Sequence, residues 1–172
     1  MSIRGYFCYN LHMKNIKELT ENIIKKLTVR EETITFAESC TGGRIAAAFT
    51  AISGASNVLN GSCVTYSNEI KHQWLGVENK VLEQYGAVSK ECVSQMLDGI
   101  MKMADADYAI AVSGIAGPTG GTPLKPVGTV YIGIKGPETK EIYHTVFDGD
   151  REAVQEQSVH FAIKKMAELL NF

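Results

Sequence analysis

The chain has no apolar run near the ~20 residues that a membrane-spanning helix needs. Residues 1–11 carry one arginine and several aromatics but no long apolar stretch, so no export signal is read there. Its four cysteines, Cys8, Cys40, Cys63 and Cys92, form no C-x-x-C pair and show no metal-like spacing with histidine. Without an export signal, reduced thiols in a cytoplasmic protein are expected. An excess of one charge is also missing. A formal net charge of −2 gives no basic face of the kind that nucleic acid selects. Internal repeats and linker-like tracts are absent. What remains is an ordinary globular composition, 45% hydrophobic and 21% charged, over 172 residues. That is enough for one domain with a sizeable core. Regular helical patterning starts only after Met13, an alternative start. Residues 1–13 therefore read as a leader and residues 14–172 as a single domain.

Residues 14–29 place Ile16, Leu19, Ile23, Ile24 and Leu27 at helical spacing, with charge on the opposite side. Residues 33–37 are a short β-branched strand, residues 42–50 a small-residue helix and residues 53–57 a loop. A second strand, weakened by Gly61, spans residues 58–66. A helix over residues 68–75 stops at Gly76, and residues 77–85 form a short helix or turn. Ser89 caps a helix over residues 90–103 with Val93, Met96, Leu97, Ile100 and Met103 on one face. Residues 108–113 are an unbroken apolar run, the pattern of a central strand buried on both faces. The Gly/Pro/Thr loop over residues 114–126 is too long for a plain connector. Residues 127–135 and 140–147 form a hairpin, and Asp150 opens a last helix to about residue 170. Early alternation and a late hairpin predict an α/β fold, with a mixed, mostly parallel sheet and helices on both faces. In such sheets ligands gather outside the C-terminal ends of the strands.

Three polar corners follow three of these strands. The first holds Glu38, Ser39, Cys40, Thr41 and the pair Gly42-Gly43. Glycines let a ligand approach the backbone, and a helix N-terminus attracts negative charge. Ser39 is the candidate nucleophile, and a serine hydroxyl needs a base. The local bases are Lys71, Glu38 and, less favoured, His72. Lys71 would need a pKa well below the ordinary ~10.4, through burial or another cation. Tyr66, five residues earlier, can face the same pocket, and a Ser–Lys pair with a Tyr handling protons is a known way to run acyl transfer. The bland alternatives are that Ser39 or Thr41 caps the next helix and that Lys71 is a solvated lysine. Cys40 is a rival nucleophile if the helix start lowers its pKa. The preferred reading makes it a small buried hydrophobe. The loop S-G-I-A-G-P-T-G-G-T, residues 113–122, offers backbone N–H nests for phosphate or an oxyanion. It is neither a Walker A sequence nor G-x-G-x-x-G. Its alternative is a wandering surface loop. Arg151 can fork onto a phosphate or carboxylate, or stand exposed behind a helix capped by Asp150. His12, His144 and His160 carry no ligand pattern.

Seven motifs stand in order: A-E-S-C-T-G-G (37–43), V-T-Y-S-N-E-I-K (64–71), L-G-V (75–77), Y-G-A-V-S (85–89), the glycine loop (113–122), K-P-V-G-T-V (125–130) and F-D-G-D-R (147–151). Together they resemble the CinA C-terminal domain family, whose stand-alone members include nicotinamide-nucleotide amidases. The match runs from about residue 14 to the C-terminus. The resemblance implies a three-layer α/β/α fold with a mixed sheet. It implies hydrolysis of the carboxamide of nicotinamide mononucleotide to nicotinate mononucleotide and ammonia, in pyridine nucleotide recycling. Ser39 matches the family's nucleophile, with Lys71 and Tyr66 beside it. Glu38, Thr41, Gly42, Gly43, Asn68, Ser113, Gly114, Ala116, Gly117 and Arg151 are the expected substrate contacts. Amides at Gly42–Gly43 or in the 114–117 loop are expected to hold the oxyanion. No metal or cofactor is implied. The expected partners are a small nucleotide substrate and a second copy in a homodimer, with no nucleic acid and no membrane. A non-catalytic nucleotide-binding module and an amidase for another small carboxamide are the alternatives. One departure stands out. Many members carry a second arginine four residues after the G-D-R arginine, where this chain has Gln155. A lost charge-assisted bond is worth roughly 1.5–3 kcal/mol, so weaker substrate binding is expected.

Overall fold

The computed structural model describes residues 3–171, with side chains from residue 16 onward. Cys8, His12 and Met13 lie outside the described side chains. Among the described residues six helices and five strands follow one another as α1 (Ile3–Arg30), β1 (Ile34–Glu38), α2 (Arg44–Thr50), β2 (Leu59–Val64), α3 (Asn68–Leu75), α4 (Asn79–Gln84), α5 (Lys90–Ala104), β3 (Tyr108–Gly114), β4 (Thr129–Lys135), β5 (Lys140–Val146) and α6 (Arg151–Leu169). A 3-10 turn, Ala55–Asn57, precedes β2. The helix expected from residue 14 begins at Ile3, and the turn-or-helix segment after Gly76 is a true short helix, α4.

Helix boundaries follow local chemistry. Ser67, Ser89 and Asp150 each accept an N–H bond from the first turn of α3, α5 and α6. Gly76, at φ 68°, closes α3 in the left-handed conformation that favours glycine.

The sheet order is β2-β1-β3-β4-β5. β1 pairs in parallel with β2 and β3, while β4 pairs antiparallel with β3 and β5. β4 alone is reversed, so four of the five strands share a direction while the pairings divide evenly between parallel and antiparallel. The sheet is thus mixed, with α1, α2 and α6 covering one face and α3, α4 and α5 the other.

Strand alternation sorts the core. Phe36, Ile110, Val112 and Ile132 face α1, α2 and α6, whereas Ala37, Ala109 and Ala111 face α5. The α5 side is kept small because the helix packs close. A Cβ on Gly133 would come within 2.6 Å of Leu97 Cδ1, and one on Gly99 of α5 within 1.9 Å of the Leu75 carbonyl oxygen. Each large aliphatic or aromatic side chain buried in this way contributes about 1.5–3 kcal/mol.

From β1 the chain crosses to β2 over one face and then from β2 to β3 over the other. Two crossovers leaving in opposite directions must use opposite faces if both are right-handed. β1 is therefore the point where strand order reverses, the place where open α/β sheets form a crevice. The C-terminal ends of β1, β2 and β3 meet at that edge, and β5 runs the same way and delivers the start of α6 there. Among the described residues no helix is long and apolar enough to cross a membrane.

Candidate active site

Ser39 follows directly on β1 and is 8% exposed. By strand parity it lies on the α3/α5 side with Ala37, while Glu38 faces α2 with Phe36. Lys71 comes from the buried face of α3, four residues before the core residue Leu75, and is 1% exposed. Its ammonium donates to Ser39 Oγ at 3.0 Å, to the Thr65 carbonyl at 2.6 Å and to the Tyr66 carbonyl at 3.4 Å. No carboxylate forms a salt bridge with it among the described residues. Burial pulls its pKa below the ordinary lysine value, and the neighbouring Cys92 and Cys40 thiols oppose the shift.

The rival bases are engaged elsewhere. The fully buried Glu38 carboxylate accepts from the amides of Gly43 (3.0 Å), Ile45 (3.1 Å) and Ala46 (2.9 Å). It is the anion of the α2 N-terminus, which has no side-chain cap of its own. His72 Nδ1 lies 2.8 Å from the Val77 carbonyl oxygen, away from Ser39. Burial pushes the Cys40 thiol up to about 12, against any lowering by the helix start, so it is a neutral thiol and not a ready nucleophile.

A cleft of about 310 Å³ opens over the pair. It is lined by Ser39, Cys40, Tyr66 and Lys71, by Ser113, Gly114, Ile115, Ala116, Gly117, Thr119 and Gly120 of the loop, and by Ala87, Val88 and Arg151. Its charged lining residues are two cations, Lys71 and Arg151, and no carboxylate. The amides of Ala116 and Gly117 have no acceptor among the described residues, whereas that of Ile115 is spent on the Thr129 carbonyl at 2.8 Å. Arg151 donates to the Gly117 carbonyl at 2.8 Å and to the Tyr66 hydroxyl at 2.9 Å. Among the described residues there is no group of three or more His, Cys, Asp or Glu that could hold a metal ion.

Several expected contacts lie elsewhere. Glu38, Thr41, Gly42, Gly43 and Asn68 do not line the cleft. Glu38 is spent on α2, and Gly42 and Gly43, at φ 61° and 93°, make the turn that lets it reach that helix. The Gly43 amide goes to Glu38 and the Gly42 amide to the Ser39 carbonyl at 3.1 Å, so this helix start has no donor left there for an oxyanion. Thr41 is fully buried and its hydroxyl finds no partner among the described residues. Asn68 is exposed at the start of α3. The Tyr66 hydroxyl meets Arg151 and not Lys71; only its carbonyl faces the lysine. Ser113 lines the cleft, but its hydroxyl donates to the Ala87 carbonyl at 2.8 Å. Gln155 is 6% exposed, and its amide donates to the Cys40 carbonyl at 2.6 Å. It does not line the cleft. The expected substrate contacts did not include Ala87, Val88, Ile115, Thr119 and Gly120, although Y-G-A-V-S and the glycine loop contain them.

Comparison with known proteins identifies the family. Residues 16–170 match the model of the CinA C-terminal domain. A CinA-like protein of Endomicrobium trichonymphae is 49% identical over 137 residues, 80% of this chain and 32% of that protein. A putative competence-damage inducible protein of Thermoanaerobacter pseudethanolicus is 43% identical over 161 residues, 94% of this chain and 39% of that protein. The chain thus spans only about a third of the length of such relatives. The crystal structure of competence damage-inducible protein A from Klebsiella pneumoniae superposes with a TM-score of 0.87 at 39% identity, covering 90% of this chain and 96% of that one. A competence/damage inducible protein from Agrobacterium tumefaciens gives a TM-score of 0.88 at 37% identity, covering 91% and 96%.

Proposed function

The chain belongs to the CinA C-terminal domain family, and we propose that it hydrolyses the carboxamide of nicotinamide mononucleotide, in pyridine nucleotide recycling, as a cytoplasmic homodimer. The observation that carries this reading is the 3.0 Å contact between a buried Lys71 and Ser39. A neutral lysine amine has two N–H groups and one lone pair. The Thr65 and Tyr66 carbonyls can only accept, so they take the two N–H groups. The lone pair is left for the Ser39 O–H, and the contact reverses its polarity relative to the ammonium form.

In the proposed reaction Ser39 Oγ attacks the amide carbon as its proton passes to Lys71 Nζ. The carbonyl oxygen becomes an oxyanion held by the Ala116 and Gly117 amides. The Lys71 ammonium returns a proton to the departing NH₂, and ammonia leaves an ester on Ser39. Water then gives a proton to Lys71 and attacks that ester. Nicotinate mononucleotide departs and Ser39 recovers its proton. Arg151, the lining cation that remains when Lys71 is neutral, suits a substrate phosphate. Arg151 has five N–H groups and uses two, which leaves three for an anion. The Tyr66 ring, 62% exposed, is a platform for a pyridine ring.

The test is ammonia release from nicotinamide mononucleotide by wild type, Ser39→Ala and Lys71→Ala. Turnover by wild type, with at least a thousandfold loss in each variant, is the expected result. Equal turnover by Lys71→Ala would overturn the assignment of the base. No release by folded wild type would overturn the substrate.

A further inference from the structure

The proposed reaction makes no use of Lys125, which lies near the end of the glycine loop. Its ammonium donates to the Tyr85 carbonyl at 2.8 Å and to the Val88 carbonyl at 2.7 Å, across 40 and 37 residues of sequence. It forms no salt bridge among the described residues, so the charge is satisfied by main-chain oxygens. Two more side chains treat the same segment in the same way. Ser89 Oγ donates to the Gly86 carbonyl at 2.7 Å, and Ser113 Oγ to the Ala87 carbonyl at 2.8 Å. Four successive carbonyls, from Tyr85 to Val88, thus each receive a side-chain donor, and Lys125 supplies two of the four. Ala87 and Val88 belong to the cleft wall.

Lys125 is also fixed within its own loop. Its amide donates to Thr122 Oγ1 at 3.0 Å, and its carbonyl accepts from the Thr122 amide at 2.8 Å. At the other end of the loop, Arg151 holds the Gly117 carbonyl. The stretch between these two anchors contains Thr119 and Gly120, which line the cleft. Charge-assisted bonds are the stronger kind, and two of them converge on one flexible side chain here.

We propose that Lys125 is a positioning residue that straps the glycine loop to the Tyr85–Val88 segment and so shapes the substrate cleft. It touches no reacting atom; it acts through Thr119, Gly120, Ala87 and Val88. The catalytic pair Ser39 and Lys71 is held by β1 and α3 and does not depend on the strap. The oxyanion donors Ala116 and Gly117 are held separately, by Arg151 on the Gly117 carbonyl and by the bonds of Ile115 to Thr129 and Gly128, so losing the strap weakens binding and spares the chemical step. The loss of charge-assisted bonds corresponds to roughly a tenfold to hundredfold rise in KM, with kcat within about twofold. This effect on binding rests on the amidase reading.

The experiment compares full-length wild type, Lys125→Met and Lys125→Arg. Hydrogen–deuterium exchange without ligand is followed over residues 85–89 and 118–126, and KM and kcat are measured with nicotinamide mononucleotide. Lys125→Met is expected to exchange faster in both segments and nowhere else, with KM raised. Lys125→Arg, which keeps donors for both carbonyls, is expected to restore most of both. Unchanged exchange in both segments would overturn the strap. Faster exchange with unchanged KM would overturn its role in the site. If wild type itself releases no ammonia, the amidase reading falls, and the exchange pattern still decides whether Lys125 holds the two segments together.

Discussion

The Gln155 side-chain amide donates to the main-chain carbonyl of Cys40 at 2.6 Å, so the last helix grips the residue next to Ser39. One turn earlier Arg151 binds Gly117 and Tyr66. The first two turns of α6 thereby touch all three corners of the site. Gln155→Met would leave the buried Cys40 carbonyl without its partner, at a cost of about 1–3 kcal/mol. For a domain of this size that is a fall in Tm of about 2–12 °C, measurable by thermal melting. An unchanged Tm would mean that the contact contributes nothing.

Glu38 serves α2 and not the cleft. Glu38→Gln removes the negative charge from the helix N-terminus and keeps one acceptor oxygen. A loss of about 1–2 kcal/mol is expected, with KM for nicotinamide mononucleotide within about twofold of wild type. A large change in KM with unaltered stability would return Glu38 to the substrate.

Tyr66→Phe separates two roles. A tyrosine relaying protons to Lys71 would show its loss in kcat. The hydroxyl is bonded to Arg151, so the expected loss is in KM, by roughly three- to tenfold. A kcat drop of a hundredfold at constant KM would restore the relay.

Lys71 ties activity and stability to pH. Its lowered pKa places the rise of kcat/KM with pH below the ordinary lysine value of ~10.4. Between the lowered native pKa and ~10.4 the unfolded chain binds more protons than the native one. Stability therefore rises with pH across that window, and below the native pKa the folded state carries the full cost of a buried cation. Lys71→Met removes this dependence. Comparing the melting of wild type and variant at pH 7 and pH 9.5 should show a gain for wild type that the variant lacks. Parallel curves would mean that Lys71 titrates normally.

Cys40 should be dispensable for chemistry. With its thiol near 12, iodoacetamide at pH 8 is expected to leave activity intact. Cys40→Ala is expected to keep ammonia release within about tenfold. Rapid inactivation that substrate prevents would make the thiol the nucleophile instead.

Much of the site was legible because its markers are local. The ends of β1, β2 and β3 were visible as polar residues after apolar runs, and all three loops reach one edge of the sheet. The burial of Lys71 had a local signal too, its place four residues before Leu75 on one helix face. The parity of Glu38 with Phe36 was the overlooked sign that its carboxylate points to α2, away from the Ser39 side.

By itself the sequence determined the elements, their caps and the mixed sheet. Hydrophobic period, serine and aspartate caps and turn glycines act over a few residues and need no distant partner. Only the tertiary structure decided which polar groups remain for a ligand. Lys125 reaches Tyr85 and Val88, Gln155 reaches Cys40 and Arg151 reaches Tyr66, across 37 to 115 residues. A buried polar group must find a partner wherever the fold brings one near. The donors and acceptors of each corner are therefore assigned only when all the corners have met.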